Sequence, residues 1–457
     1  MVSQAAVSRT IPYNQGISLI LTTSLSVFYI AATIDDARRE ETSMSLLDQL
    51  SDPVVWEKFY AYKTSLACPK DIERQLRGFL DAKKYLPVSE SILRTAASPK
   101  EYSFPLPRRA VISKQSSQKK RVVYTYPPEE NVALKLLTYL LLRKYDNLFC
   151  DVLFSFRPGK SAREAIHYLR QIPDLHKKFS YKVDVSNYFN SIPIERLLPD
   201  LESVTKDDPA LFSFLRALLT EPLVLTSDFE GKLQPVAEQK GIMAGTPLAS
   251  FYANLYLRDM DRWFYDQGIP YARYSDDVIL FGDTREEVLA LAEKLRAFLS
   301  EKGLTVNPSK EELRSPEEGF VFLGFFLKDG RIDVAPASLT KMKQKMRRKT
   351  RALQRWKNRN GLPGEKAAKA FARIFHRKLL ESSTDSDLTW SYWYFSTINT
   401  TESLHAIDLY AQECLRYLIT GTHGKSRFNA RYRDLKSLGY KTLVNAYYAF
   451  PERTNSK

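Results

Sequence analysis

The chain has 457 residues, with 68 Lys and Arg against 53 Asp and Glu, a formal charge of +15 and 44% hydrophobic residues. That balance excludes a fibrous, collagen-like or wholly disordered protein, and the length suffices to bury a core without covalent staples. A pI near 9.4 points to a polyanionic partner, because clustered Lys and Arg gain free energy by displacing counterions from a phosphate backbone.

In chain order, Ile17–Ile34 is an uncharged run that carries six Ser and Thr. Met44 then opens an ordinary helical segment, so residues 1–43 are expected to be a dispensable leader or a mis-called start rather than a membrane anchor. Residues 44–105 have helical spacing. Val111–Ile112, a polar tip from Gln115 to Gln118, and Val122–Tyr124 signal a hairpin with basic residues at its tip. Residues 130–170 return to helical periodicity, interrupted by the turn FRPGKS. Strand-like runs at 181–185, 271–274 and 278–281 alternate with helical stretches near 195–218, 246–266 and 285–302. After Pro336 the chain reads as helical to about Phe450. Strands mixed with long helices predict an α+β architecture. The cysteines Cys68, Cys150 and Cys414 are widely spaced and the five histidines form no HxxxH or HxxH pair. A disulfide framework and a zinc site are therefore disfavoured, and a reducing cytoplasm is expected.

Tandem Asp pairs occur at 35–36, 207–208 and 276–277, so the dipeptide alone says little and its setting decides. The third pair lies in YARYSDDVILFG, between two β-forming runs. Adjacent carboxylates at a partly buried turn repel each other and lose hydration, and a hard divalent cation offsets both costs. YKVDVSNYFN places Asp184 at the end of another apolar strand, 92 residues before Asp276. A lone Asp there reads as a helix cap. Together with the hairpin pair it supplies three oxygen donors of the kind that clamp two Mg²⁺ ions, with Mn²⁺ as a substitute, in phosphoryl transfer.

Asp184-x-x-x-Tyr188-Phe189-Asn190 and Tyr274-Ser275-Asp276-Asp277 resemble the A and C motifs of reverse transcriptases. Gly245 to Leu257, GTPLASFYANLYL, resembles motif B of the bacterial group II intron and retron-like enzymes; GLTVNPSK ending at Lys310 resembles motif D, VFLGFFL motif E, and SFRPGKSAREA a fingers motif. The segment WEKFYAYK, the fingers and the tail GYKTLVNAYYAF are most similar to the "unknown group" enzymes of phage defence. The resemblance implies a right-hand polymerase: N-terminal helices and fingers over 44–180, a palm over 181–335 with a fingers-like insertion near 195–238, and a thumb with a helical C-terminal region over 336–457. It implies RNA-directed DNA synthesis from dNTPs on an RNA template, expected to be a structured noncoding RNA, with a DNA product and an accessory defence protein as further partners. The oligomeric state is left open.

By the same resemblance Asp184, Asp276 and Asp277 are catalytic metal ligands, with the Val185 carbonyl completing one sphere, and Lys310 is a general acid toward pyrophosphate. Phe189 lies under the incoming sugar and excludes a 2′-hydroxyl, and Gly245 borders the nucleotide. Lys114 and Arg121 grip the triphosphate, with Lys119 and Lys120 next in line. Arg157 is expected to touch template or triphosphate. FRPGKS imitates a Walker A loop, but the earlier glycine it requires is Phe154, so that reading is rejected. Where retron and intron enzymes have Gln and Ser-Pro in motif B, this chain has Ala244 and Ala249-Ser250, a departure that suits a specialised polymerase.

Residues 341–359 hold ten Lys and Arg and no acid, with Leu339, Met342, Met346, Leu353 and Trp356 on one stripe. This predicts a helix that packs by one face and meets a nucleic-acid backbone by the other, through Lys341, Lys345, Arg348 and Arg355. Most aromatics of the tail are expected in the core, and a tyrosine primer is a minor alternative. Two readings share the same residues: a non-catalytic RNA-binding scaffold and a template-independent nucleotidyltransferase.

Overall fold

The computed structural model describes residues 44–65, 68, 70–98, 101–113, 120–228, 230–380 and 390–450. Residues 1–43 and the hairpin-tip lysines Lys114 and Lys119 lie outside the described residues. Helices α1 (Pro53–Ser65), α2 (Lys70–Asp81) and α3 (Tyr85–Ala97) come first. Trp56 fastens them: its indole N–H donates to the Leu50 carbonyl at 2.8 Å, and its ring packs on Phe59, Phe79 and Tyr85.

Strands β1 (Arg108–Ser113) and β2 (Lys120–Thr125) form an antiparallel hairpin with Ala110 opposite Val123. Helices α4 (Pro128–Lys144) and α5 (Ala162–Gln171) follow. The Ser161 hydroxyl accepts from the Arg163 N–H, so the GKS sequence ends as a helix cap rather than a phosphate loop. After β3 (Phe179–Asp184), the helical stretch expected near 195–218 is two helices, α6 (Ile194–Val204) and α7 (Pro209–Thr220). The break is at Asp208, whose carboxylate caps the Leu211 N–H, and at Pro209, which has no N–H to continue a preceding helix. Asp208 also accepts from Ser45 and from the Leu46 N–H, and Asp207 pairs with Lys144 at 2.8 Å. That tandem Asp pair is therefore structural.

Strands β4 (Leu223–Ser227) and β5 (Leu233–Ala237) make a second hairpin, and β4 runs parallel to β1, giving the fingers sheet β2-β1-β4-β5. Next come α8 (Ala249–Tyr256), α9 (Arg258–Asp266), β6 (Tyr271–Tyr274), β7 (Asp277–Gly282), α10 (Arg285–Glu301) and β8 (Glu312–Arg314). The palm sheet is antiparallel, in the order β6-β7-β3-β8. Tyr271, Val278 and Leu280 face one core, shared with α1–α4 and α6–α10, while Ala272, Ile279 and Phe281 face a second core shared with the C-terminal helices. Burial on both faces is why VILF reads as an unbroken apolar run.

A small sheet of β9 (Phe320–Phe322), β10 (Phe325–Lys328) and β11 (Arg331–Val334) leads into α11 (Pro336–Arg359), α12 (Gly364–Leu379) and α13 (Glu402–Thr420), which pack on one another. Shorter helices over 390–395, 432–437 and 443–448 complete the tail. Among the tail aromatics Tyr394 and Tyr447 are buried and Tyr392 and Tyr448 are exposed. The molecule is α+β. Among the described residues no helix is long and apolar enough to cross a membrane.

Candidate active site

Three backbone relations gather the acidic residues. Asp184, the last residue of β3, is the direct antiparallel partner of Asp277, the first of β7. Directly opposed antiparallel residues stand about 5 Å apart at Cα. The Val185 N–H donates to the Asp276 carbonyl at 3.0 Å, and the Asn307 N–H donates to the Asp184 carbonyl at 2.9 Å. Asp276 sits in the two-residue turn with Ser275, which takes a left-handed φ of +60° although it is not glycine. All three carboxylates thus lie at one end of the palm sheet, with Val185 beside them.

Burial raises the pKa of Asp276, and the neighbouring Asp184 adds to the rise. Burial also pushes Asp277 up to about 6, against the lowering influence of Lys182 and with Asp276 and Asp184 as further repulsion. The Lys310 ammonium sits 2.5 Å from the Asp184 carboxylate, and Lys182 is 3.9 Å from Asp277. Lys310 therefore enters the site as the counter-ion of Asp184. Among the described residues no three His, Cys, Asp or Glu side chains already converge as a metal cage. The strand register, not the rotamers, gathers the expected donor set. Three hard oxygen donors whose crowding and desolvation favour added positive charge fit a divalent cation.

Sequence reasoning missed what lies beneath the turn. Arg273 is 0% exposed and bonds Asp261, 1% exposed, through two parallel contacts of 2.7 and 2.5 Å. The same guanidinium donates to the Ser275 carbonyl at 3.3 Å and the Asn254 carbonyl at 3.2 Å. Ser155 accepts from the Ser275 N–H at 2.9 Å, and the Asn254 amide donates to the Ser155 carbonyl at 2.8 Å. The Tyr271 hydroxyl donates to Asp261 at 2.8 Å. A buried polar network with its partners in place fixes the backbone it holds. This one joins the fingers motif, motif B and the Asp hairpin. The available signal was a lone Arg inside an apolar strand, which requires a buried acid once both sheet faces are covered.

Phe189, five residues after Asp184, is half-buried, 5.6 Å from Tyr188 and 6.4 Å from Phe156 between ring centres. Asn190 bridges the parts around it: its side-chain oxygen accepts from the Ala244 N–H at 3.1 Å and its amide donates to the Val122 carbonyl at 3.4 Å. Gly245, at φ +100°, lies where a Cβ would meet the Tyr124 carbonyl at 3.1 Å, and the Tyr124 N–H donates to the Ala244 carbonyl at 2.8 Å. The motif B loop is thus laid against β2. Arg121 is exposed on β2, and its charge acts on Asp276 across the gap.

Arg157 requires a correction. Its guanidinium is buried, bonded to Asp146 at 2.8 and 3.2 Å and to the carbonyls of Cys150 and Leu153 at 2.6 and 3.2 Å. Every donor direction is used within the fold, so Arg157 holds its own turn rather than a template or triphosphate. Lys341, Lys345, Arg348 and Arg355 stand exposed on α11, and Met346 and Leu353 on the opposite stripe are buried. These cations share no hydrogen bond or ion pair with the carboxylates among the described residues.

Residues 112–327 match the family described as "Reverse transcriptase (RNA-dependent DNA polymerase)". The "uncharacterized 91 kDa protein in cob intron" of Schizosaccharomyces pombe is 26% identical over 178 residues, 38% of this chain, and the chain spans only 21% of that protein's length. Among solved structures, apo telomerase from Candida tropicalis has a TM-score of 0.43 at 10% identity, covering 76% of this chain and 69% of that one. Telomerase from Candida albicans with a fragment of telomeric RNA has a TM-score of 0.42 at 12% identity, covering 75% and 67%. Asp184, Asp276 and Asp277 all lie within the residues 112–327 that match the reverse transcriptase family.

Proposed function

We propose that this chain is an RNA-directed DNA polymerase that adds dNTPs to a 3′-hydroxyl on an RNA template. The observation that carries the reading is the Asp184–Asp277 register beside the Asp276 turn, inside the matched domain. Asp184, Asp276 and Asp277 would hold magnesium, or manganese in its place. Bound there, two such ions supply positive charge to the attacking oxygen and the leaving pyrophosphate.

The chain's own residues do the rest. Arg121 faces the trio from the fingers and offers a charge-assisted donor to the triphosphate, the role also expected of Lys114. The Phe189 ring lies against the sugar and leaves no room for a 2′-hydroxyl. Gly245 lets the motif B backbone lie close to β2. Lys310 neutralises Asp184 and carries a proton within reach of the departing phosphate. The exposed cations of α11 bind the backbone of the template–product duplex.

Within this reading, the helical opening segment, the fingers and the helical tail support a cytoplasmic enzyme of antiviral defence that copies a structured noncoding RNA, with an accessory defence protein as partner. Plating efficiency of phage on bacteria carrying wild type or Asp276→Ala tests that role. The polymerase itself is tested by incorporation of labelled dNTPs on a primed RNA with Mg²⁺. Asp276→Ala is expected to lower incorporation by about 10³-fold, the effect of losing several kcal/mol of charge stabilisation. Equal incorporation by both proteins overturns the reading. Product sequences unrelated to the template replace it with untemplated nucleotide addition.

A further inference from the structure

A nucleotide consumed in the proposed reaction is met at two ends, its triphosphate by Arg121 on β2 and its sugar by Phe189. These two residues belong to different parts of the fold. The gap between them is set by whatever ties β2 to residues 188–190.

The palm side of that gap is anchored from below. A single helical turn, Tyr188–Ser191, follows β3, and the buried Tyr188 donates its hydroxyl to the Ala253 carbonyl of α8 at 2.6 Å. The fingers side is anchored through the motif B loop. Met243 is buried with Tyr124 of β2 and Val224 of β4, so the loop sends a side chain into the small core of the fingers sheet. Met243 is held at φ +59°, a conformation that a residue other than glycine keeps only where its surroundings enforce it. The Ala244 carbonyl then accepts from the Tyr124 N–H at 2.8 Å. Loop and strand thus form one body.

Asn190 spans the joint between the two bodies. Its side-chain oxygen accepts from the Ala244 N–H at 3.1 Å, and its amide nitrogen donates to the Val122 carbonyl at 3.4 Å. Val122 is the neighbour of Arg121, and Asn190 is the neighbour of Phe189. The Ile242 N–H, donating to the Phe189 carbonyl at 2.9 Å, closes the joint from the loop side. A carboxamide accepts and donates at once, so a single side chain engages both the loop and the strand. Aspartate in its place would keep the acceptor alone, and leucine would keep neither.

We propose that Asn190 is a positioning residue that sets the spacing between the Phe189 ring and Arg121, and thereby the sugar preference of the site; this rests on the polymerase reading. A ring rejects a 2′-hydroxyl only while the nucleotide cannot slide away from it, and the grip on the triphosphate prevents that slide. With the spacing loosened, a ribonucleotide escapes the clash by shifting toward the fingers, while a deoxynucleotide loses its alignment.

Primer extension with dNTPs and with rNTPs, beside hydrogen–deuterium exchange without nucleotide, tests the proposal. Asn190→Leu is expected to raise the KM for dNTP about tenfold and to cut the preference for dNTP over rNTP about tenfold, as hydrogen bonds of ordinary strength are lost. Exchange in peptides covering 120–126 and 242–246 is expected to quicken. Asn190→Asp, which loses the donor alone, is expected to move in the same direction and serves if the leucine variant does not fold. In an Arg121→Ala background, Asn190→Leu is expected to change the KM by less than about twofold, because the tie acts through Arg121. Effects that multiply in the double variant, unchanged exchange, or a lower denaturation midpoint with an unchanged sugar preference overturns the proposal and leaves the polymerase reading standing. A wild type that incorporates neither nucleotide overturns the polymerase reading, and the proposal with it.

Discussion

The β6–β7 hairpin of the palm closes on two residues, and its turn is held from below by Arg273, Asn254 and Ser155. The β1–β2 hairpin of the fingers leaves Val111, Ile112 and Arg121 in solvent, and its far end is tied to the palm through Tyr124 and Asn190. Both present charge to the same space, one negative and one positive. Crowded carboxylates need a backbone that cannot relax away, so their hairpin is locked by buried polar groups. A cation that meets a ligand arriving from solvent needs reach, so its hairpin is exposed. The contrast separates residues committed to the fold from residues held for a partner.

The largest effect is expected where the lock is broken. Asp261→Leu strands a fully buried guanidinium and should cost about 3–5 kcal/mol, read as a drop in the denaturation midpoint. Adding Arg273→Met should restore most of that stability, because a buried ion pair replaced by apolar groups is often near neutral. Incorporation should be low in the double variant, since Arg273→Met takes from the Ser275 and Asn254 carbonyls their donor. Wild-type incorporation by the stable double variant would reduce the network to packing.

On the fingers side, Arg121→Ala should raise the KM for dNTP about tenfold, the value of one charge-assisted hydrogen bond, with an unchanged denaturation midpoint. A fall in stability instead would make the exposed hairpin structural too. The smallest effect concerns Lys240, which leads into the Gly241–Gly245 loop between the two hairpins and donates to the Glu221 carbonyl. Burial lowers its pKa from 10.5 to about 8. Between those values the unfolded chain binds the proton that the folded chain has lost, so stability rises with pH from about 8 to 10.5. Lys240→Met should flatten that rise and add on the order of 1 kcal/mol at neutral pH, measured by urea melts across the range.

The hairpins, the palm strands and the basic helix were legible because each writes its periodicity locally: YKVDV, VILF and the stripe from Leu339 to Trp356 need no distant partner to be read. The acidic trio was legible for the same reason, as short strings of unusual composition. The carboxylate rotamers were not, because Lys310 draws one of them aside. Arg157 was misread because its partner is Asp146, eleven residues upstream on the other side of a turn. The Arg273–Asp261 pair was invisible because strand alternation does not say that both sheet faces are covered, nor which helix supplies the acid. Residue type announces chemistry, whereas burial decides whether that chemistry faces inward.

Gly241 adds a constraint of another kind. At φ +51° it lies so close under the backbone of Phe189 and Asn190 that a Cβ would fall 2.6 Å from the Phe189 carbonyl oxygen, and the neighbouring Ile242 N–H donates to that same oxygen at 2.9 Å. Codon 241 is therefore closed to every other amino acid unless the 189–190 backbone shifts with it. A mutagenesis library meant to alter sugar choice gains nothing by randomising 241 alone, and one that varies 189 must screen for changes transmitted through this contact into the loop ending at Gly245.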